Sequence, residues 1–443
     1  MRATAAKYKP YPAYKSSGVE WLGEVPQEWD VRPLKYVTQL VNGAAFKPAD
    51  WSTEGTPIIR IENLNGGDNF NCYDGPMPER YHVAKGDLLF GWSGNRGTSF
   101  GPFHWWREGR HYLNQHIFRL EGFTCYKRWF YYVLKGVTWY IEFEAHGIIG
   151  MVHVTKGKLG SVPVGLPDLP EQRAIADFLD RETGRIDSMI EKKRRMVELL
   201  EEKRGALISH AVTKGLDPNA PMKDSGIEWL GQIPAHWKVK KVGLLASLLQ
   251  TGPFGSQLHS DEYIEEGVPV INPSHMTNGT IAPDSRCTVD GETAGRLVRH
   301  RLRTNDIVFA RRGEMGRCAI VTDESAGWLC GTGSLLFRPK ATLCYSPYLL
   351  RVLMGKGVAE DLVLRSVGST MDNLNTEILG TVRIPLPPRG EQEEIVARLA
   401  RSSERIAVLA SRNHEVIGKL QEYRTALVSA AVTGKIDVRR GRV

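Results

Sequence analysis

The sequence predicts an α+β chain in which two similar mixed α/β domains are separated by two long helices packed as an antiparallel coiled coil, pseudo-twofold and nearly circular. Three observations lead there. The 443 residues hold two copies of one module, each copy ends in a long amphipathic stretch without proline, and the middle of each breaks into short strand-like runs.

The duplication is read first. SGVEWLGEVPQEWDV at Ser17 to Val31 returns as SGIEWLGQIPAHWKV at Ser225 to Val239, with both tryptophans and the proline in register. LPDLPEQRAIADFLDRETGRIDSMI from Leu166 pairs with LPPRGEQEEIVARLARSSERIAVLA from Leu386, and RGALISHAVTKGLD from Arg204 with RTALVSAAVTGKID from Arg424. Between these ends the likeness is weaker: TPIIRIENL faces VPVINPSHM, and GDLLFGWSGNRG faces NDIVFARRGEMG. The second copy's extra residues fall between its opening segment and the strand at Asp306. Matched scaffold with divergent middles is what results when two domains keep one architecture but touch different things. The expected divisions are 1–161 and 217–381 for the two domains with their opening segments, and 162–216 and 382–443 for the helices.

Each helix is expected to start at its proline-rich lead. Pro170 fits the first turn, where its missing N–H is no loss. Apolar residues then fall at Ile175, Leu179, Ile186, Met189, Val197, Leu200 and Leu207, and again at Ile395, Leu399, Ile406, Leu409, Ile417, Leu420 and Leu427. That period near 3.5 predicts a coiled-coil seam, interrupted by Glu182, Lys193 and Arg204 and by Ser402, Asn413 and Arg424. A lone helix of this kind is marginal in water, and its only matched partner is the other copy. Roughly 42 residues make a rod of about 60 Å, able to set a distance. Gly215 and Gly434 stand where a left-handed cap closes a helix. The chain's two ends are expected to meet, since the first opening segment lacks the preceding helix that the second one has.

The middles, from Val31 to Ser161 and Val239 to Thr381, read as strand-dominated with helices near Arg128 to Lys135 and Pro347 to Met354. Polar and basic side chains gather in their loops: Asn95, Arg96, Arg107, Arg110, His111, Asn114 and Gln115 in the first, and Arg311, Arg312 and Arg317, with Glu314, in the second. Arg, Asn and Gln carry forked donors and acceptors that match base edges, and Arg also neutralises phosphate. Trp21, Trp29, Trp229 and Trp237 read as anchors of the opening segments.

Composition agrees with such a partner. The formal charge is +8, from 58 Lys and Arg against 50 Asp and Glu, which favours a polyanion. No signal-peptide run and no long apolar span occur, so the protein is expected to be cytoplasmic with no membrane partner. Six cysteines without metal-ligand spacing read as reduced thiols, and no metal or cofactor site is expected. No phosphate loop, HExxH or GxSxG is present; NPSH at Asn272 lacks the second proline and the aromatic of adenine-methyltransferase signatures, so no catalytic residue is assigned.

These duplicated motifs, GVEWLGEVPQEW and GIEWLGQIPAHW before each domain and PEQRAIADFL and GEQEEIVARL opening each helix, resemble the specificity subunits of type I restriction-modification systems over essentially the whole chain. The resemblance implies two target recognition domains reading the halves of a bipartite, asymmetric sequence in double-stranded DNA, with the helices as ruler. It further implies two methylation subunits using S-adenosylmethionine and, where present, restriction subunits using ATP with Mg2+, cofactors carried by those partners. Two other readings are an enzyme with its own duplicated recognition domains, and a scaffold whose repeats bind only proteins.

Overall fold

The computed structural model describes residues 8–145, 151–254, 257–366 and 374–440. Residues 1–7 of the amino-terminal stretch and Gly255 and Ser256 of the glycine-rich TGPFGSQL turn lie outside them. The chain forms two compact units, Met1–Arg195 with Asn413–Val443, and Met196–Arg412. Each takes one part of each long helix, so the division falls inside the helices.

In unit 1, Leu88–Gly91 is buried along its length because it is a central strand. It pairs antiparallel with Gly101–His104 and Ile117–Glu121, and Gln39–Asn42 completes the sheet. Helix Lys127–Glu144 joins the same core through Phe130, Val133, Leu134, Val137 and Ile141, apolar residues three or four apart. A second sheet runs Cys72–Tyr73, Thr56–Ile59, His111–Leu113, His82–Val83, and its central pair is parallel.

Unit 2 repeats this order. Ala246–Thr251, Ser334–Pro339, Ile307–Ala310 and Cys318–Ile320 form the antiparallel sheet, and Val268–Ile271 pairs parallel with Leu329–Cys330. Part of its extra length builds the short helix Gly291–Arg296, where the Asp290 side chain caps the Thr293 N–H. NPSH is a 3-10 turn, Pro273–His275, closed by the Asn272 N–H donating to His275 Nδ1. In unit 1 the Arg60 N–H donates to Asn63 Oδ1 at the matching place. The string is thus a capped turn in both copies.

The long helices span Leu169–Lys214 and Arg389–Val432. Their shared Glu-Gln pair explains why the motif sits where it does. Gln172 accepts from the Tyr126 N–H at 2.7 Å and donates to the Pro167 carbonyl at 2.8 Å. Gln392 does the same with Tyr345 and Pro387, at 2.7 and 2.9 Å. The preceding acid receives an indole: Trp29 Nε1 donates to Glu171 at 3.3 Å, and Trp237 Nε1 to Glu391 at 3.0 Å. Trp29 and Trp237 are fully buried, as anchors should be, and Trp21 adds a bond to the Pro163 carbonyl.

The helix ends grip the opening segments in the same way. In unit 2, Lys214 Nζ donates to the carbonyls of Leu230 and Gln232. In unit 1, Lys435 Nζ donates to those of Leu22 and Glu24, the matching residues. The lysine and glycine have exchanged places between AVTKG and AVTGK, yet the ammonium lands on the same pair. Gly215 and Gly434 both have positive φ, 79° and 71°, and a Cβ on Gly434 would stand 2.2 Å from Pro26. Asp437 N–H also donates to the Lys9 carbonyl, so the amino-terminal segment and the carboxyl-terminal helix end meet inside unit 1.

Helix pairing is antiparallel. In unit 1, Glu171 meets Arg439 at 3.6 Å and Asp187 meets Arg424 at 2.9 Å, so advance along one segment is retreat along the other. In unit 2, Ala211 and Val212 near the end of the first helix share a core with Ile395 and Leu399 near the start of the second. Ile175, Leu179, Ile186, Ile406 and Leu427 are buried, and Leu200 and Leu420 are half-buried. Three seam positions are corrected. Met189, Leu207 and Leu409 stand 38%, 38% and 46% exposed, whereas Ile190 and Ala410 are buried and Ile208 packs against the unit 2 core. At these turns the inward face advances four residues where the expected frame advanced three, the drift of a 3.6-residue helix against a 3.5 repeat.

No helix among the described residues is long and apolar enough to cross a membrane.

Candidate nucleic-acid interface

The first-copy candidates fall into two groups. One is built on the short ladder of Ser93–Asn95 with Met151–His153. Asn95 is exposed there, opposite Met151. Trp92 precedes it, with its Nε1 donating to the Gln115 carbonyl at 2.8 Å and its ring 5.5 Å from His116, 6.5 Å from His153 and stacked on Phe118. Gln115 is exposed and its amide lies 3.4 Å from His116 Nε2. Arg96 turns away, donating to the Ala145 carbonyl at the end of helix Lys127–Glu144.

The second group is cationic. Arg107 lies over the Phe70 and Trp106 rings and is paired with Asp68. Arg110 is largely exposed, its Nη1 3.8 Å from Glu79. Trp106, 46% exposed, presents an aromatic face beside them.

Two candidates do not reach the surface. His111 lies in a buried strand, where its Nδ1 faces the Trp105 indole N–H at 3.3 Å and burial holds the ring below its usual pKa. Asn114 is 9% exposed, and its Oδ1 accepts the His116 N–H at 3.2 Å. Both hold the loop's shape, because polar side chains buried at a strand end are used up by internal partners.

In unit 2 the candidates share one hairpin, between Ile307–Ala310 and Cys318–Ile320. Arg311 is half-buried, donating to the carbonyls of Leu374 at 3.2 Å and Thr332 at 3.4 Å, with its guanidinium over Phe254. Arg317 pairs with Glu314 through two nitrogens, at 3.2 and 3.0 Å. Arg312 is exposed and makes no side-chain hydrogen bond to the described residues. Arg311 occupies the place that Trp92 holds in unit 1. The Trp92, His116 and His153 cluster was not among the expected residues. Its one sequence signal is that a tryptophan follows the buried strand where the other copy has arginine.

Among the described residues no group of three or more His, Cys, Asp or Glu side chains is placed to hold a metal. The arrangement presents forked and aromatic side chains on two rigid frames, a geometry suited to recognition.

The family model described as Type I restriction modification DNA specificity domain matches residues 26–198 and 234–417. The chain is 23% identical over 427 residues to the Type I restriction enzyme EcoBI specificity subunit of Escherichia coli, covering 94% of this chain and 88% of that one. In fold it is similar to a chain from a structural study of complex assembly in the type I R-M system, with TM-score 0.66, 15% identity, and 92% and 98% of the two chains covered. It is also similar to the HsdS subunit from Thermoanaerobacter tengcongensis, with TM-score 0.52, 16% identity, and 93% and 98% covered.

Proposed function

Because the chain belongs to the type I restriction-modification DNA specificity family, and so acts as the specificity subunit that directs a methylation and restriction complex, we propose that it reads a bipartite, asymmetric DNA sequence. Residues 31–161 read one half and residues 239–381 the other. Asn95, Gln115 and Arg110, with Trp92, supply base-edge and stacking contacts in the first unit, and Arg311, Arg312 and Arg317 supply them in the second. The observation that carries this is the contrast between matched clips in the scaffold and the exchange of Trp92 for Arg311 in the loops.

Each half-site alone gives modest affinity; joined on one chain they act at high effective concentration. The long helices serve as the ruler between the halves. Two methylation subunits using S-adenosylmethionine flip and modify an adenine. Restriction subunits, where present, use ATP with Mg2+. This chain chooses the site and its partners do the chemistry.

The test is adenine-methylation mapping of cells with and without the gene. One bipartite motif should vanish with the gene, and exchanging residues 31–161 for those of a relative should change one half of it. Loss of no motif would refute the reading. Inserting four residues near Lys192, matched near Arg412, should lengthen the spacer and leave both half-sequences intact.

A further inference from the structure

The loops are where the two copies differ, but each unit also carries a cationic groove at a matched place in its scaffold. In unit 1 a groove of about 740 Å³ runs beside the edge strand Gln39–Asn42 and is lined by Lys35, Arg80 and Lys156. In unit 2 a groove of about 600 Å³ runs beside Ala246–Thr251, the matching edge strand, and is lined by Arg299, Arg301 and Arg303. Arg80 and Arg299 stand at the same position of the repeat, on the 3-10 turns Glu79–Tyr81 and Val298–His300. No Asp or Glu lines either groove.

The wall is built alike in both. Arg119 donates to the His82 carbonyl from the sheet of unit 1, and Arg338 donates to the Arg301 carbonyl, the matching group, at 3.2 Å in unit 2. One arginine of each sheet is thus spent fixing the turn that holds the exposed one. None of these lining cations is paired with a carboxylate of the described residues: Arg80 donates to the Tyr81 hydroxyl at 2.8 Å and lies over its ring, and Lys35 lies over the Tyr36 ring. Lys156, Arg299, Arg301 and Arg303 make no side-chain hydrogen bond or ion pair with the described residues. By contrast, Arg107 and Arg317 in the reading loops are neutralised by Asp68 and Glu314.

We propose that these two grooves are the phosphate grips of the molecule, each seating a stretch of DNA sugar-phosphate backbone beside the half-sequence its unit reads. The inference rests on the DNA-reading function proposed above and divides its labour. Phosphate is the same in every sequence, so the groups that hold it need not diverge, whereas groups that read bases must. The turn that carries Arg80 also meets the reading loops in unit 1, where Glu79 lies 3.8 Å from Arg110. An acidic face of a protein partner is the other occupant to consider. Protein interfaces lean on buried apolar anchors. Val298, an exposed apolar residue of the unit 2 groove, corresponds to Glu79 in the repeat, whereas its neighbour Arg299 corresponds to Arg80, so the exposed cation recurs and that apolar residue does not.

The test uses the full chain and a 40-base-pair duplex of random sequence, with binding followed by anisotropy across salt concentrations. Removing one phosphate contact, by Arg80→Gln or Arg299→Gln, should lower the slope of log affinity against log salt by about 0.9. The affinity lost between roughly 50 and 200 mM salt then shrinks about 3.5-fold per contact, and the methylated motif in cells stays the same. Arg80→Lys should restore the slope in unit 1. An unchanged slope in variants with wild-type circular dichroism would overturn the proposal. So would an unchanged slope with loss of co-purifying methylation subunits, which would make the grooves protein docking sites. If the wild-type chain itself shows no salt-dependent binding, the DNA reading fails with it; if only the variants match wild type, the grooves alone are refuted.

Discussion

Gln172 and Gln392 share two bonds in the two units, to a helix-lead N–H and to a proline carbonyl, while Trp92 and Arg311, just as well matched in position, share nothing but their place after a buried strand. The glutamines are enclosed, and an enclosed polar group that loses a partner costs more than a new one returns. Trp92 and Arg311 are only partly buried, where change costs the fold less. One architecture therefore keeps its clips and varies its readers.

The matched anchors meet their severest test at the indoles. Trp29→Ala and Trp237→Ala each open a cavity at a fully buried site, and each should cost about 3–5 kcal/mol in urea denaturation. A large loss in one unit and a small one in the other would show that the matched anchors are not equivalent. The corrected seam comes next. Ile190→Ala should cost about 2–4 kcal/mol and Met189→Ala under about 0.5 kcal/mol, so a reversal of that order would restore the frame expected from periodicity.

Smaller effects sharpen the same contrast. Gln172→Leu and Gln392→Leu leave a turn N–H and a proline carbonyl unpaired, and each should cost about 1–3 kcal/mol, Gln392→Leu the more because it also frees the Leu343 carbonyl. Lys135 of unit 1 offers a pH test. Burial, with Arg424 nearby, holds the Lys135 ammonium down to about 8. Its folded pKa lies below the unfolded value of 10.5, so the fold disfavours the charged form, and this penalty is full below pH 8. Between pH 8 and 10.5 the folded chain releases the proton that the unfolded chain keeps, and stability gains with rising pH. Lys135→Met should raise the denaturation midpoint at pH 7 and show a smaller advantage at pH 10. An equal advantage at both would exclude the titration.

Much of this was legible in the sequence. The repeat, both long helices, their glycine caps and the tryptophan anchors follow from patterns that depend on near neighbours or on the other copy. The seam slipped at Met189, Leu207 and Leu409 because a real helix drifts against a 3.5 repeat and each of these apolar residues sits beside another candidate. His111 and Asn114 were read as base contacts because composition shows a donor's identity and not its enclosure. The Trp92, His116 and His153 cluster went unseen because a three-residue ladder assembles it from distant segments, with no alternation long enough to announce a strand. The Glu-Gln pair was visible as a repeat, but its chemistry, one indole and one helix turn held by adjacent side chains, needed the fold.

Equivalent frames carry different readers, and a chain with one reader duplicated puts this to the proof. Residues 239–381 are replaced by a second copy of residues 31–161, and adenine methylation is mapped in cells. A new motif is expected in which the first half-sequence occurs twice and the second is lost. A motif that keeps the original second half would contradict it.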